Sequence, residues 1–224
     1  RTGPGGSYES VVVDKKGQKL IASYNEKYLN EFYSKLANDI KSLKQKGAEI
    51  IVVYPHWGAE YVITVEDMEA KIAQKMCDLG VDVIIGGHPH VVEPVRVYTS
   101  KKSGKTTVCL HSMGNFVSSM GPHQTHKKNA AYTKDGVLFS FNAKKYSDGT
   151  AAVTKVSALP LYTNQASGHK YIVVPLDRDK NWNQFGIKKY SAKKEGYKSY
   201  HRTKNLVTKG INKYNKMHKI YKQP

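Results

Sequence analysis

Three histidines follow two apolar runs that are typical of buried strands. His56 comes shortly after residues 49–54 (EIIVVY), and His88 and His90 come shortly after residues 81–85 (VDVII). Ligands of open α/β sheets bind beyond the carboxyl ends of the strands, so we expect all three side chains at one edge of the sheet. Imidazole is a common ligand of first-row metal ions near neutral pH. The spacing therefore predicts a metal or phosphate site.

Three further side chains lie close to these motifs. Glu60, four residues after His56, can accept a proton, orient a histidine or pair with a lysine. Trp57 is typical of loop packing, and it can also form a wall of a substrate pocket. Asn115 follows a strand and a glycine, where its amide either satisfies a turn or orients a ligand. We assign Trp57, Glu60 and Asn115 to a candidate substrate pocket and no residue to a catalytic step.

The predicted helices and strands explain how these residues reach one edge. Apolar residues at steps of three and four predict a helix over residues 26–46, and a second helix is predicted from Thr64 to Gly80. Each helix precedes one apolar run, and this order indicates a parallel βαβ unit. Residues 11–13 and 20–22 are predicted to form a small hairpin. Antiparallel or additional strands are predicted at 91–98, 106–111, 136–143, 150–157 and 171–175.

Composition excludes several classes of protein. The chain has 224 residues, 39% hydrophobic and 24% charged, which suits a folded α/β unit with a tail and excludes wholesale disorder. No apolar run approaches the roughly 18 residues of a membrane span, and no signal-peptide pattern opens the sequence. The two cysteines, Cys77 and Cys109, do not make a disulfide scaffold.

The positive charge is concentrated in the C-terminal part. The formal net charge is +18, of which residues 141–224 carry +14, from 18 basic and 4 acidic side chains. Such an excess favours a polyanionic partner, although runs of lysine are also common on solvated surfaces. Leu206, Ile211 and Ile220 form no clear apolar stripe, so residues 186–224 are predicted to be a helical or partly ordered extension.

Three motifs taken together resemble one known family. They are PHWGAEY at 55–61, GHPH at 87–90 and SMGNF at 112–116. Their sequences, order and separation are similar to those of the bacterial capsule-synthesis CapA and poly-γ-glutamate PgsA family. The resemblance covers about residues 26–176.

The resemblance implies a fold related to calcineurin-like metallophosphoesterases, which are α/β/β/α sandwiches. We therefore expect an α/β fold class with mixed sheets. Residues 1–185 would form the C-terminal portion of a CapA-like domain, half of such a sandwich, and residues 186–224 a Lys/Tyr-rich basic extension.

The resemblance also implies a two-metal site of divalent ions such as Mn, Fe or Zn. His56 and His88 are similar to ligands of one metal, and His90 to a ligand of the other. The family's aspartates, asparagine and a further histidine come from an N-terminal half, which we expect outside this chain, whose first residue is Arg1. That half, as a cleaved chain or a partner copy, is expected to pair with the free strand edge beside residues 49–54.

The function implied by the resemblance is synthesis, export or anchoring of capsule or poly-γ-glutamate at the outer face of the bacterial membrane. One hypothesis is a metal-dependent hydrolase or transferase acting on an anionic polymer, either polyglutamate or capsular polysaccharide. The alternative is a non-catalytic polyanion-binding export or anchoring component. Membrane association would depend on a segment outside this chain. The sequence contains no recognised nucleic-acid module, which disfavours nucleic acid as a partner.

Overall fold

The computed structural model describes residues 14–20, 23–122, 127–166, 170–177, 182–185, 187 and 190–218. The chain divides into two compact units, residues 1–39 and residues 40–224. Helix α1 (Lys15–Leu20) belongs to the first unit. The predicted hairpin is therefore wrong over these residues, because the Asp14 carboxylate accepts the Gly17 N–H at 2.6 Å and favours a helical turn. Residues 11–13 and 21–22 of that hairpin lie outside the described residues.

The first predicted helix is confirmed. A 3-10 turn over Glu26–Tyr28 leads into helix α2 (Leu29–Gln45), and the Asn25 side chain accepts the Lys27 N–H at 2.9 Å. Gly47 follows the helix with φ of 91°, a conformation that glycine adopts without a steric penalty.

The first sheet contains four strands in the order β1-β2-β4-β3, and it is mixed. Its parallel pairs are β1–β2 and β2–β4, whereas β3 and β4 are antiparallel. The bounds are β1 Val52–Val53, β2 Val83–Ile85, β3 Val95–Thr99 and β4 Thr106–Leu110. Helix α3 (Asp67–Asp78) connects β1 to β2, which confirms the parallel βαβ unit.

Two details of this sheet differ from prediction. Strand β1 is not buried on both faces: Val52 is 45% exposed, because β1 is an edge strand among the described residues. Helix α3 is capped by Glu66 and Glu69 rather than begun at Thr64, since Glu69 accepts the Glu66 N–H at 2.7 Å.

The second sheet is antiparallel, in the order β5-β6-β7. Its strands are β5 Asp135–Lys145, β6 Ala151–Gln165 and β7 Tyr171–Pro175. Strands β5 and β7 lie close to the predicted runs, whereas β6 extends to Gln165, well beyond the predicted end at residue 157. The mixed and antiparallel sheets with their helices confirm the predicted α/β fold class.

Helix α4 (Tyr190–His218) packs on the body of the second unit. Val207 and Tyr214 join the same buried core as Val95, Val153 and Val156, and the Tyr214 hydroxyl donates to the Val153 carbonyl at 2.9 Å. Of the two alternatives for the extension, the helical one is therefore observed here. The predicted boundary at residue 186 stays a prediction. None of the described helices combines the length and apolar composition needed to cross a membrane.

Candidate metal centre

His56 and His88 meet because the parallel pairing continues past the ends of β1 and β2. His56 forms an isolated parallel bridge with Gly87, and the Trp57 N–H donates to the Gly87 carbonyl at 3.1 Å. The ring centroids of His56 and His88 lie 4.5 Å apart, and those of His88 and His90 lie 6.2 Å apart. The structure thus brings the three histidines into one cluster. Metal binding by the cluster stays a prediction.

The backbone that presents two of these histidines is strained. His88 has φ of 105° and His90 has φ of 61°, a left-handed region that non-glycine residues rarely adopt. The segment from His88 to His90 is therefore not a regular extended strand. Such conformations cost on the order of 1–3 kcal/mol each and concentrate at functional sites. The Tyr61 N–H holds this segment by donating to the Pro89 carbonyl at 2.8 Å.

Asn115 fixes the orientation of His90. Its Oδ1 lies 3.0 Å from His90 Nδ1, while its Nδ2 donates to the Thr133 carbonyl at 2.9 Å. Because Nδ2 is the donor to Thr133, Oδ1 is the acceptor from His90. Nδ1 therefore carries the proton, and Nε2 keeps a lone pair for a ligand.

Glu60 and Trp57 occupy different surroundings. Glu60 Oε1 lies 3.9 Å from His90 Nε2, so Glu60 reaches the same open side of the cluster. Trp57 is only 2% exposed, and it packs beneath the histidine loop. That placement matches its loop-packing alternative, and contacts of either residue with a substrate stay predictions.

The histidine cluster has donors suited to a divalent transition metal. Partial burial first, and then the neighbouring His56, lower the pKa of His88, which favours the neutral imidazole that metals bind. His90 is oriented with Nε2 available. Three imidazoles are the ligand set of a single catalytic zinc, but they fall short of a two-metal site, which needs carboxylates as well.

A buried cluster of three ionisable side chains beneath the loop was not predicted from the sequence. Glu69, Glu93 and His111 are each at most 2% exposed, and one ligand atom of each lies within 4.8 Å of the others. The pattern did contain a signal for Glu69, because it lies on the same buried face of α3 as Ile72 and Met76. Glu93 and His111 gave no such signal, because strand ends tolerate polar residues.

This buried group carries a proton rather than two free carboxylate charges. Burial, and then the negative charge of Glu69, raise the pKa of Glu93 to about 9. Burial, and then Arg96, lower the pKa of His111 to about 3. A protonated Glu93 can donate to Glu69, whose other oxygen accepts the Glu66 N–H. A cation could use the same atoms. A proton shared between the two carboxyl groups would pair only one oxygen of Glu93, and the other would stay without a hydrogen-bond partner among the described residues.

The family model "Bacterial capsule synthesis protein PGA_cap" matches residues 6–120, about half of the chain. The chain belongs to this capsule-synthesis family. The match confirms the resemblance inferred from the three motifs, and it includes all three histidines and Asn115. It ends before the second sheet and α4.

Two curated relatives support the capsule-synthesis assignment. The "PGA biosynthesis protein CapA" of Bacillus subtilis (strain 168) is 35% identical over 142 residues, which cover 62% of this chain and 34% of the relative. The "Capsule biosynthesis protein CapA" of Bacillus anthracis is 31% identical over 144 residues, covering 64% of this chain and 30% of the relative. The chain thus matches about a third of the length of these relatives.

Proposed function

We propose that this capsule-synthesis chain contributes a histidine-lined metal centre to a hydrolase or transferase that acts on an anionic polymer. The observation that carries the proposal is the convergence of His56, His88 and His90, of which His88 and His90 lie on strained backbone, with His90 oriented by Asn115. Geometry of this kind is maintained at a cost in backbone strain, which supports a role beyond folding.

In the proposed centre, His56 and His88 would hold one divalent ion and His90 would hold the other. Such ions supply an activated water and stabilise the charge of a displaced oxygen. Among the chain's own residues, Asn115 orients His90 through its Nδ1, so that Nε2 faces the open side of the cluster. Glu60, beside His90 Nε2, is placed to accept a proton from a reacting group. The missing carboxylate and amide ligands would come from another segment, beside the exposed edge of β1.

The polymer is proposed from the printed names of the relatives and from the charge of this chain. The relatives are named for PGA and capsule biosynthesis, and a net charge of +18 suits an anionic chain such as polyglutamate or an acidic polysaccharide. A protein that handles such a polymer would work at the cell surface.

Metal analysis tests the centre. The protein is isolated from its own host with its associated chains, and its metal content is compared with that of His88→Ala. His201→Ala is the matched control, because His201 is an exposed histidine on α4. We expect about two metal ions per complex in the wild type and in the control, and a loss of metal in His88→Ala without unfolding. Metal-free wild-type protein, or unfolding of His88→Ala without loss of metal, would contradict the proposal.

The second candidate function is a non-catalytic component that binds polyanions during export or anchoring. The charge of α4 favours it, since this helix has eight basic residues and one acidic residue. Polymer binding by metal-free protein, with no change in polymer length on incubation with the metal-loaded form, would favour this function over the enzyme.

A further inference from the structure

A basic cavity lies between α4 and the 3-10 turn Ala130–Lys134. Its volume is about 670 Å³, within the range of about 300–1,000 Å³ that is typical of ligand pockets. Four basic side chains and one histidine line it: Lys193, Lys194, Lys198, Arg202 and His201. None of the described residues that line the cavity is acidic.

One wall of the cavity is held rigidly by a buried ion pair. Arg202 donates from Nε and Nη2 to the two carboxylate oxygens of Asp135, each at 2.8 Å, and the Asp135 side chain is only 4% exposed. The Arg202 guanidinium also stacks over the Tyr132 ring, with its central carbon 4.4 Å from the ring centroid. Because Arg202 is already paired, a ligand in the cavity meets the lysine ammonium groups first.

The lysines of the cavity are available to an anion. Lys198 pairs with Glu195 at 2.8 Å, but both side chains are about half exposed, and an exposed pair of this kind contributes little. The rings of Tyr132 and Tyr197 add apolar surface between the charges. Ammonium groups alternating with aromatic rings suit a chain in which carboxylates are separated by methylene groups.

We propose that this cavity binds a segment of a polycarboxylate chain, polyglutamate, during capsule synthesis. The inference rests on the proposed function for the identity of the polymer, but it uses no residue of the histidine centre. Lysine ammonium groups contact the carboxylates, and the tyrosine rings pack against the methylene groups.

Deletion of the basic extension would not test this inference, because Val207 and Tyr214 of α4 belong to the core. Substitutions of lysines on α4 change its charge without removing these core residues. The pocket variant is Lys193→Gln/Lys194→Gln/Lys198→Gln. The matched control is Lys209→Gln/Lys213→Gln/Lys216→Gln, which removes the same charge from exposed positions of α4 outside the cavity.

Binding of labelled polyglutamate is measured at several salt concentrations for the full chain and both variants. We expect about tenfold weaker binding and a shallower salt dependence for the pocket variant, since three ionic contacts are lost. The control should weaken binding less than about threefold. Equal weakening of binding in both variants would overturn the inference, because it would mean that the polymer is attracted by the positive charge of α4 in general and not by the cavity. Polyphosphate of equal charge is the competing ligand. If it binds the wild type more tightly than polyglutamate does, and loses as much affinity as polyglutamate in the pocket variant, the choice of a polycarboxylate is wrong.

Two further measurements separate this inference from the metal centre. Polyglutamate binding is measured again for wild-type protein treated with a chelator and for His88→Ala. Both proteins should bind polyglutamate as tightly as untreated wild type. The pocket variant should keep the wild-type metal content. If chelation abolishes polymer binding, the polymer is held at the histidine centre and the pocket inference is wrong. If the wild type holds no metal but the pocket variant still loses binding, only the proposed enzyme function fails.

Discussion

Asn115 Oδ1 lies 3.0 Å from His90 Nδ1, and the opposite end of the same amide donates to the Thr133 carbonyl at 2.9 Å. The second bond fixes the orientation of the amide, and the amide in turn fixes the proton on His90. A ligand that approaches the histidine cluster therefore meets His90 Nε2 with a free lone pair.

Replacing Asn115 with Ala should weaken metal binding more than it weakens the fold. Loss of an outer partner of a metal-bound histidine typically lowers metal affinity by about 10–100-fold. Metal titration with thermal unfolding of the same samples provides the measurement. Asn205→Ala, an exposed asparagine on α4, is the control and should change neither quantity. Unchanged metal affinity in Asn115→Ala would reduce Asn115 to a turn residue.

The histidine cluster could be predicted from sequence because its geometry follows from local rules. His56 and His88 come directly after two parallel strands, and such strands bring their carboxyl ends to one edge. The left-handed backbone at His88 and His90 could not be predicted, because no glycine stands at either position to signal it.

The packing of α4 against the core was also not predicted from the sequence. Its contact face combines Val207, Ile211 and Tyr214 with Gly210 and with the small polar residues Ser199 and Thr203, which are fully buried. An apolar stripe is the signal that sequence analysis uses, and here the stripe is short, because only the part of the helix from Val207 to Tyr214 carries it.

Trp57 connects the histidine loop to His111, a member of the buried Glu69–Glu93–His111 cluster. Trp57→Phe should remove the hydrogen bond that makes this connection. The indole lies nearly parallel to the His111 ring, at 18° and 5.4 Å, and its N–H donates to the His111 carbonyl at 2.8 Å. Phenylalanine keeps a ring but leaves the buried carbonyl without this donor. We expect a loss of about 1–3 kcal/mol in the free energy of unfolding.

Trp182→Phe is the matched control for that measurement by urea unfolding. Trp182 is also buried, but its indole N–H has no hydrogen-bond partner among the described residues. The Trp182→Phe variant should therefore lose less free energy of unfolding than Trp57→Phe. An equal loss in both variants would mean that ring packing, not the hydrogen bond, accounts for the effect.

Glu93→Gln should increase stability at alkaline pH. The native carboxyl has a pKa of about 9, raised by burial and by Glu69, against an ordinary value of 4.5. Between these values the native state holds a proton that the unfolded chain has lost, so the stability contributed by Glu93 falls as pH rises. Glutamine does not titrate and can still donate to Glu69.

Thermal unfolding of Glu93→Gln and wild type between pH 5 and pH 9 measures this effect. The advantage of the variant should grow with pH, and each kcal/mol should raise the midpoint by about 2–4 °C. Glu49→Gln, which alters an exposed carboxylate paired with Lys145, should show no such trend. A difference between Glu93→Gln and wild type that is constant across pH would mean that Glu93 is ionised in the native protein.

Gly210→Ala should destabilise the protein although alanine favours helices. A Cβ at Gly210 would overlap the carbonyl oxygen of Val95 in β3, and a backbone atom cannot rotate out of the way. The gain of about 1 kcal/mol in helix propensity is then smaller than an overpacking cost of about 3 kcal/mol. Denaturant unfolding compares it with Gly196→Ala, where the new Cβ would lie 2.9 Å from a carbon of the Trp182 side chain. Since that ring can shift, Gly196→Ala should cost less. A Gly210→Ala variant as stable as wild type would show that α4 does not pack closely on β3, and the wall that α4 forms for the basic cavity would then lack its support.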